Sequence, residues 1–165
     1  QTIAHRTWVY PSTIDFPERL QDPRLKEDLP RDLYSEFQRS FSDFERLSYF
    51  RTTPRQIRNS KTAARQFIDA NVVMGMGTDS GSPLNFHTES AWREISALVD
   101  SGMSPLQAIS VSTKSGAEII GRGSELGTIE VGKIADLIMV TGNPLSNIET
   151  LAKIERVMKG GVLYK

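Results

Sequence analysis

Hydrophobic positions in the first half of the chain recur at spacings of three and four. Leu33, Phe37, Phe41, Phe44 and Leu47 form one such series, which predicts an amphipathic helix with an aromatic face, since residues so spaced share one side of a 3.6-residue turn. That face reads as packing surface, because a helix needs an apolar stripe before it needs a ligand. Thr53, Pro54 and Gln56 fit the N-cap, first-turn proline and capping-box partner of a second helix, with Ile57, Ala64, Phe67 and Ile68 inward and an end near Asn71. Ala91, Trp92, Ile95, Leu98 and Val99 predict a third helix, closed by Gly102. Ser104, Pro105 and Gln107 repeat the capping pattern to open "PLQAISVST", and "KSGAEIIG" reads as a further short helix.

Two stretches have strand character. Residues near 2–10 are rich in β-branched and aromatic side chains and stop at Pro11, whereas Val72 to Met76 is a short apolar run of the fully buried, parallel-sheet type. Between the first strand and the aromatic helix, "FPERLQDPRLKEDLP" reads as polar loop. A helix that feeds a buried strand is the mark of an α/β fold. From Leu126 the texture changes to short β-rich runs, "LGTIEVGKIADLIMV", "IERVMKG" and "GVLYK", separated by turn residues. These predict a small β-subdomain.

A length of 165 residues suits one domain with a core of its own. Lysine plus arginine balances aspartate plus glutamate at 20 each, so no net field favours nucleic acid or an anionic membrane as partner. No apolar run approaches the ~18 residues of a membrane span, and no targeting signal is present, which leaves the compartment open. The chain has no cysteine, so any metal it binds must use His, Asp or Glu. It opens on Gln1 and passes almost at once into an apolar run, which suggests a segment of something longer.

The chemistry concentrates in "VVMGMGTDSGSP". Parallel α/β folds place ligand chemistry beyond the C-terminal ends of their strands, and Asp79 stands at such an end. Glycines 75, 77 and 81 permit a tight turn, while Thr78 and Ser80 are placed to hydrogen-bond the carboxylate and hold its rotamer. An acid so held suits a metal ligand, a general base, or both.

Three segments together, "GMGTDSGSP", "FHTESAWREISALVDSGMSPLQAISVSTKSGAEIIG" and "LGTIEVGKIADLIMVTGNPLSNIETLAKIERVMKGGVLY", resemble the C-terminal part of metal-dependent hydrolases of the amidohydrolase superfamily, in the branch of imidazolonepropionase and the prolidase-like dipeptidases. "WVYPST" resembles the preceding barrel strand, with Ser12 intervening in its Pro-Thr ending. The resemblance implies a TIM (β/α)₈ barrel with a small β-sandwich. Residues 1–125 would hold the last two barrel strands with their helices, and residues 126–165 the C-terminal strands of the sandwich. It implies hydrolysis of an amide, peptide or cyclic amide C–N bond, with Asp79 as both metal ligand and general base. The implied cofactor is a divalent metal, most often zinc, and the implied substrate is a small or dipeptide-like molecule.

The family pattern also needs histidines, and a lysine or glutamate, from earlier strands, whereas this chain has only His5 and His87. A barrel needs ~250 residues. The expectation is therefore a fragment, inactive by itself, that is completed by the missing N-terminal barrel half or by a complementary chain. "His-Thr-Glu" at 87–89 resembles a family position near the active-site mouth, which makes His87 a candidate for substrate contact. Arg6, Tyr10 and Arg93 could meet a substrate carboxylate, although a solvated charge is the commoner role, and His5 reads as structural or exposed. Glu89 and Glu94 read as solvated helix surface. Two other functions stay open: a phosphate-cradling loop before a helix, which the carboxylate at 79 opposes, and a non-catalytic half of a split barrel.

Overall fold

The computed structural model describes residues 2–3, 21, 23–42, 51, 53–81 and 85–164. Strand β1 (Thr2–Ile3) runs parallel to β2 (Gly75–Met76), with Thr2 opposite Gly75 and Ile3 opposite Met76. Parallel neighbours need a long crossover. This one carries helices α1 (Pro23–Asp28), α2 (Arg31–Ser42) and α3 (Thr53–Asp69), so strands and helices alternate as an α/β fold requires.

Helix α3 ends with Asn71 at φ +50. The Asn71 N–H donates to the Ile68 carbonyl at 3.0 Å and the Val72 N–H to that of Phe67 at 3.3 Å, the paired bonds of a Schellman cap. Asparagine tolerates this left-handed conformation better than most residues. Val72 thus belongs to the helix stop rather than to the strand. The regular pairing is correspondingly shorter than the expected run, and Val73 stands 71% exposed while Met74 and Gly75 are buried. Of the first expected strand only Thr2–Ile3 is described, and residues 4–10 lie outside the described set, as do Phe44 and Leu47 and the side chains of Phe41, Thr53, Pro54 and Ile57.

Beyond β2 the chain forms α4 (Ser90–Asp100), which stops at Gly102 with φ +112. The Gly102 N–H bonds the Val99 carbonyl at 2.9 Å and the Met103 N–H that of Leu98 at 3.1 Å, so the same cap recurs with two apolar residues, Leu98 and Met103, at its ends. Both join Ala64, Met74 and Ala108 in the central core, flanked by Ile68, Met76, Ile95, Val99 and Val111. Burying a Leu98-sized side chain contributes roughly 1.5–3 kcal/mol, which is how α3, β2 and α4 come to share one interior.

Ser104 caps α5 (Pro105–Ser110) reciprocally with Gln107. The expected break before "KSGAEIIG" does not occur: α5 continues through a π-helical turn, Val111–Ser115, into α6 (Gly116–Ile119). Gly116 keeps helical φ and ψ of −58° and −47°. The Cα of Gly116 lies 3.7 Å from where a Cβ on Gly75 would be, so this pair of glycines brings strand and helix close together without interrupting the helix.

The remainder is a three-stranded antiparallel sheet, β3 (Leu137–Val140), β4 (Ile154–Lys159) and β5 (Val162–Leu163), with a 3₁₀ turn at Ile148–Ala152 that packs on α4. Leu137 faces Met158 and Ile138 faces Val157, and the register shifts between Met139 and Val140. At the β4–β5 turn the Asp136 carboxylate accepts from Lys159 Nζ at 2.6 Å and from the Gly160 N–H at 2.7 Å. These two donors, the lysine first, hold its pKa below the ordinary carboxylate value.

Candidate active site

The loop that leaves β2 places Asp79 at φ +50, with its side chain exposed. Aspartate is among the few non-glycine residues that enter the left-handed region with modest strain. The flanking side chains brace the turn. Thr78 Oγ1 lies 2.7 Å from Ser80 Oγ, which in turn lies 2.5 Å from Ser90 Oγ at the start of α4. The Asn85 side-chain amide donates to the Thr78 carbonyl, and the Gly81 N–H donates to the Asn85 carbonyl at 2.9 Å. Asn85 and Ser90 are buried. Thr78 and Ser80 engage one another and α4, and so fix the backbone on either side of the acid.

His87 follows on the same loop, exposed, with its Cε1 3.6 Å from the position of a Cβ on Gly81. The imidazole therefore lies over the turn two residues past Asp79. Phe86 meets Phe37 of α2 edge to face, with ring centroids 5.0 Å apart. This contact gives the aromatic series near the N-terminus its partner: Phe37 is buried, while Leu33 is half exposed.

The expectation for the two glutamates needs correction. Glu94 is only 1% exposed. Ser90, Glu94 and Leu98 are the buried residues of α4, and their spacing of four puts them on one face. Leu98 drives that face into the core and carries the carboxylate in with it. The spacing was readable, but the charge of Glu94 spoke for the opposite face. Glu89 is likewise partly buried and accepts from Arg93 Nε at 3.2 Å. The Arg93 guanidinium carbon lies 4.3 Å from the Trp92 ring centroid, a cation–π geometry that ties this arginine to its own helix. His5, Arg6 and Tyr10 lie outside the described residues.

Among the described residues no group of three or more His, Asp or Glu side chains is placed to hold a metal. Asp79 has the chemistry of one ligand, and catalytic zinc takes three from the protein. The donors among the described residues therefore fit a share of a metal site and do not make a complete one.

Residues 2–164 match the model of the amidohydrolase family. The chain is 33% identical over 86 residues to the 5'-deoxyadenosine deaminase of Methanobrevibacter smithii, covering 48% of this chain and 20% of that one. It is 34% identical over 104 residues to the imidazolonepropionase of Parabacteroides distasonis, covering 61% and 25%. Among solved structures it is similar to a Xaa-Pro dipeptidase with methionine bound in the active site, at 35% identity and a TM-score of 0.60 over 64% of this chain and 25% of the other. The chain thus spans a fifth to a quarter of the length of these relatives.

Proposed function

Because the chain belongs to the amidohydrolase family, we propose that it forms the C-terminal part of a metal-dependent enzyme that hydrolyses an amide, peptide or cyclic amide C–N bond in a small or dipeptide-like substrate. The observation that carries this reading is the place of Asp79, directly beyond the C-terminal end of a strand that pairs in parallel with β1. In a (β/α)₈ barrel that end is the catalytic face. On this reading β1 and β2 are two adjacent barrel strands, and residues 126–165 belong to a small β-sandwich. Zinc is the cofactor most in keeping with the family, held by Asp79 together with ligands from the rest of the barrel.

A metal so held supplies a water acidic enough to be activated near neutral pH and polarises the scissile carbonyl. The share of this chain is narrower. Asp79 contributes one ligand oxygen and accepts the proton of the attacking water, a task that needs a carboxylate within hydrogen-bond reach of that water. His87, lying over the same turn, is the candidate for substrate contact. A phosphate-binding loop is the weaker reading, since the exposed carboxylate of Asp79 would repel the anion.

The test replaces Asp79 by Asn in the enzyme that contains this chain, with zinc content and steady-state hydrolysis of Xaa-Pro dipeptides and cyclic amides as readouts. The shape is kept, but the proton acceptor is lost. We expect kcat to fall by at least ~10²-fold, the lower range for loss of a general base, together with weaker zinc retention. Turnover close to that of the unchanged enzyme would take Asp79 out of the mechanism.

A further inference from the structure

We propose that Ser80, Ser90 and Asn85 are positioning residues for Asp79, holding its backbone at the angle that presents the carboxylate at the strand end. The proposal rests on the reading of Asp79 as a metal ligand and proton acceptor. Asp79 is an exposed loop residue in the left-handed conformation, at φ +50. Here both of its neighbours are tied down. The hydroxyls of Thr78 and Ser80 meet across it at 2.7 Å, and Ser80 is joined to Ser90 at 2.5 Å. The Thr78 carbonyl accepts from the Asn85 amide, and the Gly81 N–H donates to the Asn85 carbonyl. Residues 78, 80 and 81 are thus each bonded to a partner further along the chain.

Those partners are anchored in turn. Ser90 and Asn85 are almost wholly buried, and Ser90 shares the inward face of α4 with Leu98 of the core. A rigid helix therefore reaches the loop through one hydroxyl. Burying an amide and a hydroxyl has a desolvation cost that apolar side chains of similar volume would avoid. What polar groups add in such a place is direction, because hydrogen bonds permit fewer arrangements than dispersion does. Groups that orient a metal ligand in this way typically change metal affinity or activity 10–100-fold when removed.

The decisive measurement is zinc affinity, by competition with a chelator, in the enzyme that contains this chain. Ser80→Ala and Asn85→Ala would be compared with Ser80→Thr, which keeps the hydroxyl, and with Asp79→Asn as reference. We expect affinity to fall roughly 10-fold or more in Ser80→Ala and Asn85→Ala, to return in Ser80→Thr, and the thermal midpoint of Ser80→Ala to stay near that of the unchanged protein. Ser80 is only partly buried, so Ser80→Ala decides the matter even where Asn85→Ala fails to fold. Native affinity in Ser80→Ala beside a weakened Asp79→Asn would overturn the positioning role while leaving Asp79 a ligand. Loss of affinity that tracks loss of thermal stability and is not restored by Ser80→Thr would overturn it too. Native affinity in Asp79→Asn would instead remove the ligand reading on which the proposal stands.

Discussion

Gly127 and Gly132 have the same φ of +93, but a Cβ would meet very different surroundings at the two positions. At Gly132 nothing lies within 4 Å. At Gly127 the added carbon would sit 2.7 Å from the Ala117 Cβ and 2.9 Å from both the Lys114 Cα and the Thr113 carbonyl oxygen. None of these three atoms can rotate away, because two are backbone and the third is the stub of a buried alanine. Gly132→Ala thus reports the cost of a side chain at positive φ, about 1–2 kcal/mol, less the ~0.4–1 kcal/mol gained from a stiffer unfolded chain. Gly127→Ala adds overpacking of about 1–3 kcal/mol. The net expectation is a loss of about 0–1.6 kcal/mol for Gly132→Ala and roughly 1–4.6 kcal/mol for Gly127→Ala. Urea unfolding of both variants, followed by fluorescence of the half-buried Trp92, measures the difference. Equal midpoints for the two variants would refute the claim that the turn after Leu126 docks against the π-helical segment at Val111–Ser115.

Asp136→Asn should lower stability at neutral pH but not in strong acid. The native carboxyl titrates below its ordinary value, so its contribution is complete above the unfolded pKa of about 4 and disappears as pH falls through the folded value. Urea midpoints of the two proteins should therefore converge once the pH has fallen through the folded pKa, and a gap that persists in strong acid would mean that Lys159 and Gly160 are not what lowers the pKa. His87→Ala should leave zinc content unchanged and raise KM more than it lowers kcat, and the opposite split would give the imidazole a part in the chemistry itself.

Signals confined to one turn of chain were legible in the sequence. The Ser104–Gln107 box and the stop at Gly102 both appear where the sequence places them, because caps are made by neighbours along the chain. Features that depend on a distant partner were not. Glu94 looks like surface until Leu98 turns its face inward. Val72 reads as strand because its role in capping α3 needs the same apolar character. The parallel pairing of Thr2–Ile3 with Gly75–Met76 joins segments more than seventy residues apart, and the family resemblance, not a local pattern, is what marks these two strands as neighbours.

The turn at Asp79 separates what the fold needs from what the chemistry needs. Glycine would adopt φ +50 with no steric cost, as the glycine at 81 adopts φ +96. Aspartate there accepts strain of about 1 kcal/mol, a pattern found where backbone strain serves a site. Asp79→Gly should consequently leave the unfolding midpoint nearly unchanged, since relief of that strain is offset by the ~0.4–1 kcal/mol of entropy a glycine returns to the unfolded chain. On the proposed role of Asp79, zinc retention and turnover should fall at least as far as in Asp79→Asn, because the carboxylate is removed altogether. Calorimetry and metal analysis on one preparation separate the two effects. A variant that unfolds early would show that the acid is structural, held by its neighbours for the sake of the turn, and would remove the physical ground for placing catalysis at this strand end.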